Sequence, residues 1–191
     1  MRKILWLDIE AADSKTDREG AVHQISYVID IDGQIVAQGE HFCAPFKGDL
    51  INMPSLEVCG VQYDTIKNYP PPTEAFKSIV NAIHPHRKMV IGGYNSSFYD
   101  NPVFFNWWWK CAKELKQWNI KWADYVWADA LDVRSIAIDT LLEEREKVPS
   151  FKLTDLAKYL AIPVNEEEAH NSSYDIQLTR EIYYKLKQHG K

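Results

Sequence analysis

Lys3-Ile4-Leu5-Trp6-Leu7-Asp8-Ile9-Glu10-Ala11 is a hydrophobic run that ends in two carboxylates one residue apart. Its density of Ile, Leu and Trp predicts a strand buried on both faces, hence central in a sheet. Side chains at i and i+2 of a strand point to the same face, so Asp8 and Glu10 stand side by side. Taken alone, Asp-x-Glu is more simply read as two solvated acids just past a strand. If the pair is buried instead, the like charges repel and lose hydration, and they need a proton or a cation. A divalent ion with oxygen ligands meets that need.

Outward from this stretch, residues 23–31 and Gln34–Phe42 are two more β-type runs. The turn Asp30-Ile31-Asp32-Gly33 between them signals a hairpin, because glycine tolerates positive φ. Residues 43–72 are less regular and end in Pro70-Pro71-Pro72, which neither a helix nor a central strand is expected to accept. Thr73 reads as an N-cap, with Ala75, Ile79, Val80 and Ile83 forming a helical stripe behind it. Residues 88–94 read as a short buried strand, 101–117 as a helix with Pro102 in its first turn, and 128–133 as another strand. Helical patterns follow over 133–146, 154–160 and 172–188. This order predicts an α/β fold: a mixed sheet of about five strands, the first three antiparallel, flanked by helices.

The 191 residues suit one domain over 1–191, with no repeat or linker to divide it. Twenty-two basic against 27 acidic residues give a net charge of −5, which argues against a tight electrostatic binder of duplex DNA. An enzyme that holds an anionic substrate through metal ions is not excluded. Cys43, Cys59 and Cys111 are odd in number, widely spaced and without a CxxC pair, which reads as reduced thiols, not a disulfide framework or zinc site. The apolar run 4–7 is too short for a signal-peptide core, and no stretch approaches a membrane span. A cytoplasmic protein without a membrane partner is the expectation.

Two further segments carry chemistry. Asp100 is the only acid between Arg87 and Lys110, in the loop Tyr94-Asn95-Ser96-Ser97-Phe98-Tyr99-Asp100-Asn101-Pro102 between a buried strand and a helix. It reads equally as a functional carboxylate or as the cap of the following helix. His170-Asn171-Ser172-Ser173-Tyr174-Asp175 enters the last helix, with Ser172 as expected N-cap and Asp175 at capping-box spacing. The alternative makes Asp175 a third carboxylate and His170 a base, although a lone His at a helix entrance is more often surface decoration.

Taken together, four carboxylates and a His in the order strand, loop, helix resemble the DEDDh 3′→5′ exonucleases. These form the DnaQ-like superfamily, with a ribonuclease H-like fold, that includes ribonuclease T, oligoribonuclease and polymerase proofreading subunits. Asp8-x-Glu10 is similar to the first motif and Asn95…Tyr99-Asp100 to the second, in the form seen in family B polymerase proofreading domains. His170, five residues before Asp175 and followed by Thr179, is similar to the third. The sister class has Tyr four residues before the last Asp, where this chain has Asn171, so the His class is favoured. Gln24-Ile25 and Leu131-Asp132 also fall where the family has similar residues.

The resemblance implies hydrolysis of phosphodiester bonds from the 3′ end of single-stranded nucleic acid, DNA slightly ahead of RNA. It implies two Mg²⁺ or Mn²⁺ ions shared by Asp8, Glu10, Asp100 and Asp175, with His170 as general base. Substrate contacts are implied at Ala11, Ala12, Asn95 and Tyr99. The family usually has Thr-Thr or Thr-Ser where Ala11-Ala12 stand, and a charged loop over 13–20 follows, both of which bear on substrate preference. An RNA-trimming or oligoribonuclease activity, a catalytically silent nucleic-acid-binding module and a ribonuclease H-like endonuclease are the alternatives. Homodimerisation and polymerase association both occur among relatives, and no segment of this chain declares either.

Three remaining motifs read as structural. In Phe104…Trp107-Trp108-Trp109 most rings are expected in the core, with one available to stack on a base. His84-Pro85-His86 reads as a surface loop, and Glu166-Glu167-Glu168 as a solvated rim.

Overall fold

A computed structural model of the chain describes residues 1–13 and 19–189. Most of the charged loop expected over 13–20, residues 14–18, lies outside the described residues. The strands are β1 (Lys3–Ala11), β2 (Val22–Ile31), β3 (Gln34–Phe42), β4 (Met89–Gly93) and β5 (Val126–Asp132). The helices are α1 (Met53–Val58), α2 (Tyr63–Ile66), α3 (Pro72–Ile83), α4 (Asp100–Glu114), α5 (Val133–Thr140), α6 (Leu153–Tyr159) and α7 (Ser172–Leu186).

The strands form one mixed sheet in the order β3-β2-β1-β4-β5, as the α/β reading expects. β1 pairs antiparallel with β2 and parallel with β4; β2–β3 is antiparallel and β4–β5 parallel. The β2–β3 hairpin turns at Asp32 (φ 51°) and Gly33 (φ 92°), two consecutive left-handed residues that match the twist of the strands. Asp30 Oδ1 accepts from the Gly33 N–H at 2.7 Å and closes the turn.

Alternation along β1 builds two cores. Leu5, Leu7 and Ile9 join Phe76 and Ile79 of α3 and Phe104 and Trp108 of α4 on one face. Ile4 and Trp6 join Val133 of α5, Leu156 of α6 and Ile182 and Tyr183 of α7 on the other. Each such buried side chain is worth roughly 1.5–3 kcal/mol. Trp6 meets Tyr183 edge-on at 5.3 Å, and a Cβ at residue 92 would lie 2.7 Å from the Trp6 ring, so only glycine lets β4 pass beneath it.

Several local expectations shift. The segment 43–72 contains α1 and α2, short helices held by Leu56 and Ile66 in a small third core with Ala12 and Ala21. Pro72 opens α3, with Pro71 and not Thr73 in the cap position, because a first helical turn needs no N–H from proline. α4 begins at Asp100, one residue early, and β5 begins at Val126. Asn171, not Ser172, caps α7: its Oδ1 accepts from Ser173 N–H at 3.0 Å and Tyr174 N–H at 3.3 Å. Trp107 and Trp108 are core, whereas Trp109 is exposed and packs edge-on against Trp118. His84–His86 and Glu166–Glu168 are single 3₁₀ turns, with both outer histidines off any acidic cluster. No described helix is long and apolar enough to cross a membrane.

Candidate active site

β1 outruns its parallel neighbour. Its pairing with β4 ends at Trp6↔Gly92, whereas its pairing with β2 continues to Ala11↔Val22. Asp8, opposite Ser26, and Glu10, opposite Gln24, therefore project from a sheet end open on one side. Ligand sites form at such carboxyl ends of parallel strands. A Cβ at residue 93 would lie 2.6 Å from Ser96 Cβ and 3.1 Å from the Leu7 carbonyl oxygen. The turn that carries Asn95 and Asp100 thus presses against β1 because residue 93 is glycine.

The two acids share the face of β1 that packs under α7, and Asp175 sits in the first turn of α7. One ligand oxygen from each of Asp8, Glu10 and Asp175 lies within 4.8 Å of the others. Asp100, buried at the start of α4, stands beside this triad and not within it. Asp8 is the hub. Burial first, then the charges of Asp100, Glu10 and Asp175, push its carboxyl well above the usual range. Burial pushes Glu10 up to about 7 and Asp175 up to about 6, the latter held back by the nearby His170. Asp100 rises to about 7, again through burial, with backbone N–H groups partly offsetting the Glu10 and Asp132 charges.

His170 is exposed and adopts a left-handed backbone (φ 66°), as Asn95 does (φ 56°). Left-handed non-glycine residues at a site cost of order 1 kcal/mol and persist where the surroundings impose them. Two cavities flank the carboxylates. One of ≈ 430 Å³ is walled by Ile9, Ala11, Pro54, Val58 and Tyr99 beside Glu10. The other, ≈ 560 Å³, holds His170, Asp175, Asn95, Tyr94, Arg134 and Lys152. Tyr99 is fixed by its hydroxyl, which donates to the Asp13 carbonyl.

Of the expected substrate contacts, Ala11 and Tyr99 line the first cavity and Asn95 the second. Ala12 reaches neither: its side chain is fully buried against Ala21 and Leu56. Its N–H and carbonyl are taken by Ala21 and Asn52, the latter bond docking α1 on β1. Docked α1 brings in a contact that no motif discloses, Cys59 donating from Sγ to Glu10 Oε2 at 3.1 Å. Burial, then the Glu10 charge, pushes this thiol up to about 12, so it stays a donor. Only the fold places a residue 49 positions away on Glu10.

The donor set suits hard divalent cations. It is made of carboxylate oxygens, their mutual repulsion calls for a counter-charge, and Asp175 Oδ1 is buried without a hydrogen-bond partner among the described residues.

No protein-family model and no curated protein matches the sequence. Solved structures match its shape. A structure of exonuclease I superposes with TM-score 0.78 over 100% of this chain at 18% identity. The zinc-bound E. coli exonuclease I complex with single-stranded DNA gives 0.77 at 18% identity over 100%. E. coli exonuclease I with a dT13 oligonucleotide gives 0.75 at 18% over 99%. The fold is that of exonuclease I. The chain spans about 42% of the length of the exonuclease I chains it matches. At this identity the likeness establishes the ribonuclease H-like exonuclease I architecture, with the mixed sheet and its flanking helices in common.

Proposed function

We propose that the chain is a metal-dependent 3′→5′ exonuclease acting on single-stranded nucleic acid, with DNA slightly preferred to RNA. The carrying observation is the convergence of Asp8, Glu10 and Asp175 within 4.8 Å, with Asp100 beside them, at the open end of β1. In this reading those four carboxylates hold two Mg²⁺ or Mn²⁺ ions. When bound, the ions supply Lewis-acid stabilisation of the charge that develops on the phosphate.

The chain's own residues do the rest. The apolar cavity beside Glu10, walled by Ile9, Ala11, Pro54, Val58 and Tyr99, suits the terminal nucleoside. Cys59 holds one oxygen of Glu10, which limits how far that carboxylate can swing. His170 takes a proton at a ring nitrogen from the attacking water, and Asp175 across the same cavity favours the resulting cation. The water oxygen bonds to phosphorus, the bond to the upstream 3′ oxygen breaks, and that oxygen leaves with a proton from solvent. The products are a nucleoside 5′-monophosphate and a strand one residue shorter.

Digestion of 5′-labelled single-stranded DNA and RNA oligonucleotides with Mg²⁺, Mn²⁺ or EDTA, beside Asp8→Ala, tests the reading. A metal-dependent ladder from the 3′ end that is absent in the variant supports it. Internal cuts, or undiminished activity in Asp8→Ala, overturn it.

A further inference from the structure

The cavity beside His170 differs from its apolar counterpart in charge. Arg134 and Lys152, both exposed, line it together with Tyr94, Asn95 and Phe151. Neither belongs to any ion pair among the described residues, whereas Lys67, Lys110, Lys158 and Arg180 are each held by an acid. Among the described residues no acid forms an ion pair with either cation: Asp132 Oδ1 accepts from the Ser135 N–H at 3.1 Å while its Oδ2 is buried, and Asp155 accepts from Ser150 Oγ at 2.5 Å. Tyr94 Oη donates to the carbonyl of buried Phe151 at 2.9 Å and so ties the loop that carries Lys152 to the end of β4.

We propose that Arg134 and Lys152 form a phosphate-binding subsite for the phosphodiester on the 5′ side of the one that is cut. The proposal rests on the exonuclease reading and extends it to the path of the strand. The scissile phosphate lies over carboxylates, whose charge must be answered by bound cations. The next phosphate has no such ions, and in a chain of net charge −5 it meets repulsion unless free cations stand in its way. Arg134 and Lys152 line the cavity shared by His170 and Asp175, which has no lining residue in common with the apolar pocket. A strand with its last nucleoside in the apolar pocket then continues across them.

The test compares substrates without terminal phosphates: dTpdT, which carries only the scissile phosphate, and dTpdTpdT and dT20, which carry the next one. In Arg134→Ala/Lys152→Ala, KM for the trimer and dT20 rises about tenfold with kcat within about twofold, while dTpdT is cut as by wild type. The salt slope of log(1/KM) for dT20 becomes shallower by about 1. Equal losses on dimer and trimer, or no loss on either, overturn the subsite. Anisotropy of fluorescein-labelled dT20 in EDTA reads the subsite without turnover. If wild type cuts nothing yet the double variant binds about tenfold more weakly, Arg134 and Lys152 bind phosphate, but the exonuclease reading falls and takes the subsite's place beside a cut bond with it. Unchanged affinity together with unchanged KM removes the subsite alone.

Discussion

Ser26 Oγ and Ser172 Oγ lie 2.7 Å apart in the protein interior, 146 residues apart in sequence. Ser26 is the β2 partner of Asp8, and Ser172 opens the helical turn that carries Asp175. A single hydrogen bond therefore ties the strand side of the carboxylate cluster to its helix side. Replacing either serine by alanine leaves the other hydroxyl buried and unsatisfied, at a cost of about 1–3 kcal/mol. For a chain of this size that lowers Tm by roughly 2–4 °C per kcal/mol. Thermal unfolding of Ser172→Ala is expected to show this loss, and Ser26→Ala/Ser172→Ala a smaller loss than the two single variants combined. Additive losses would show that the two hydroxyls do not act as a pair.

The same helix is anchored further along by Arg180, whose Nε donates to fully buried Asp30 at 2.7 Å. Its Nη2 also donates to the Gly33 carbonyl at 2.6 Å. Arg180→Ala leaves a buried carboxylate whose remaining hydrogen bonds, among the described residues, come from Tyr184 and the Gly33 N–H. A loss of about 3 kcal/mol is expected, read as a shift in the urea midpoint. Arg180→Ala/Asp30→Asn is expected to recover part of it; a double variant less stable than Arg180→Ala would refute the uncompensated-charge account.

Stability of the metal-free protein is expected to depend on pH in one direction. Glu10 and Asp100 rise to about 7 and Asp175 to about 6 on folding, through burial in each case. Between their unfolded values and these, the folded chain holds protons that the unfolded chain has lost, so stability falls as pH rises from about 4 to about 7. In EDTA, Tm is expected to drop over that window, and Glu10→Gln to reduce the drop. Mn²⁺ is expected to raise Tm more at pH 7.5 than at pH 5. A Tm that climbs with pH in EDTA would contradict the buried like-charge cluster.

His170 lies outside the carboxylate triad, so proton transfer and ion binding are expected to separate. His170→Ala should lower kcat by about 10²–10⁴ while Mn²⁺ still binds, whereas Asp8→Ala should lose both. Mn²⁺ titration by calorimetry alongside single-turnover hydrolysis checks this; wild-type turnover in His170→Ala would remove it from the mechanism.

Much of this protein was legible in residue order. The hydrophobic run into Asp8-x-Glu10 predicts a central strand because period-two alternation and burial are local properties, and Asp30-Ile31-Asp32-Gly33 predicts its hairpin because backbone φ is local too. The same holds for α3, α4 and α7, apart from end effects at Pro72, Asp100 and Asn171, where neighbouring residues compete for one cap. The residue types at 8, 10, 100, 170 and 175 were enough to suggest divalent-metal chemistry. Only the tertiary structure decided which of them meet: Asp8, Glu10 and Asp175 within 4.8 Å, Asp100 beside them, Ala12 sealed away. It also decided that Cys59 holds Glu10, that Ser26 holds Ser172, and that Arg134 and Lys152 share a cavity with His170. Such contacts join residues dozens to more than a hundred positions apart. They follow from how helices dock on the sheet, a sum over many packed side chains that no short stretch of sequence encodes.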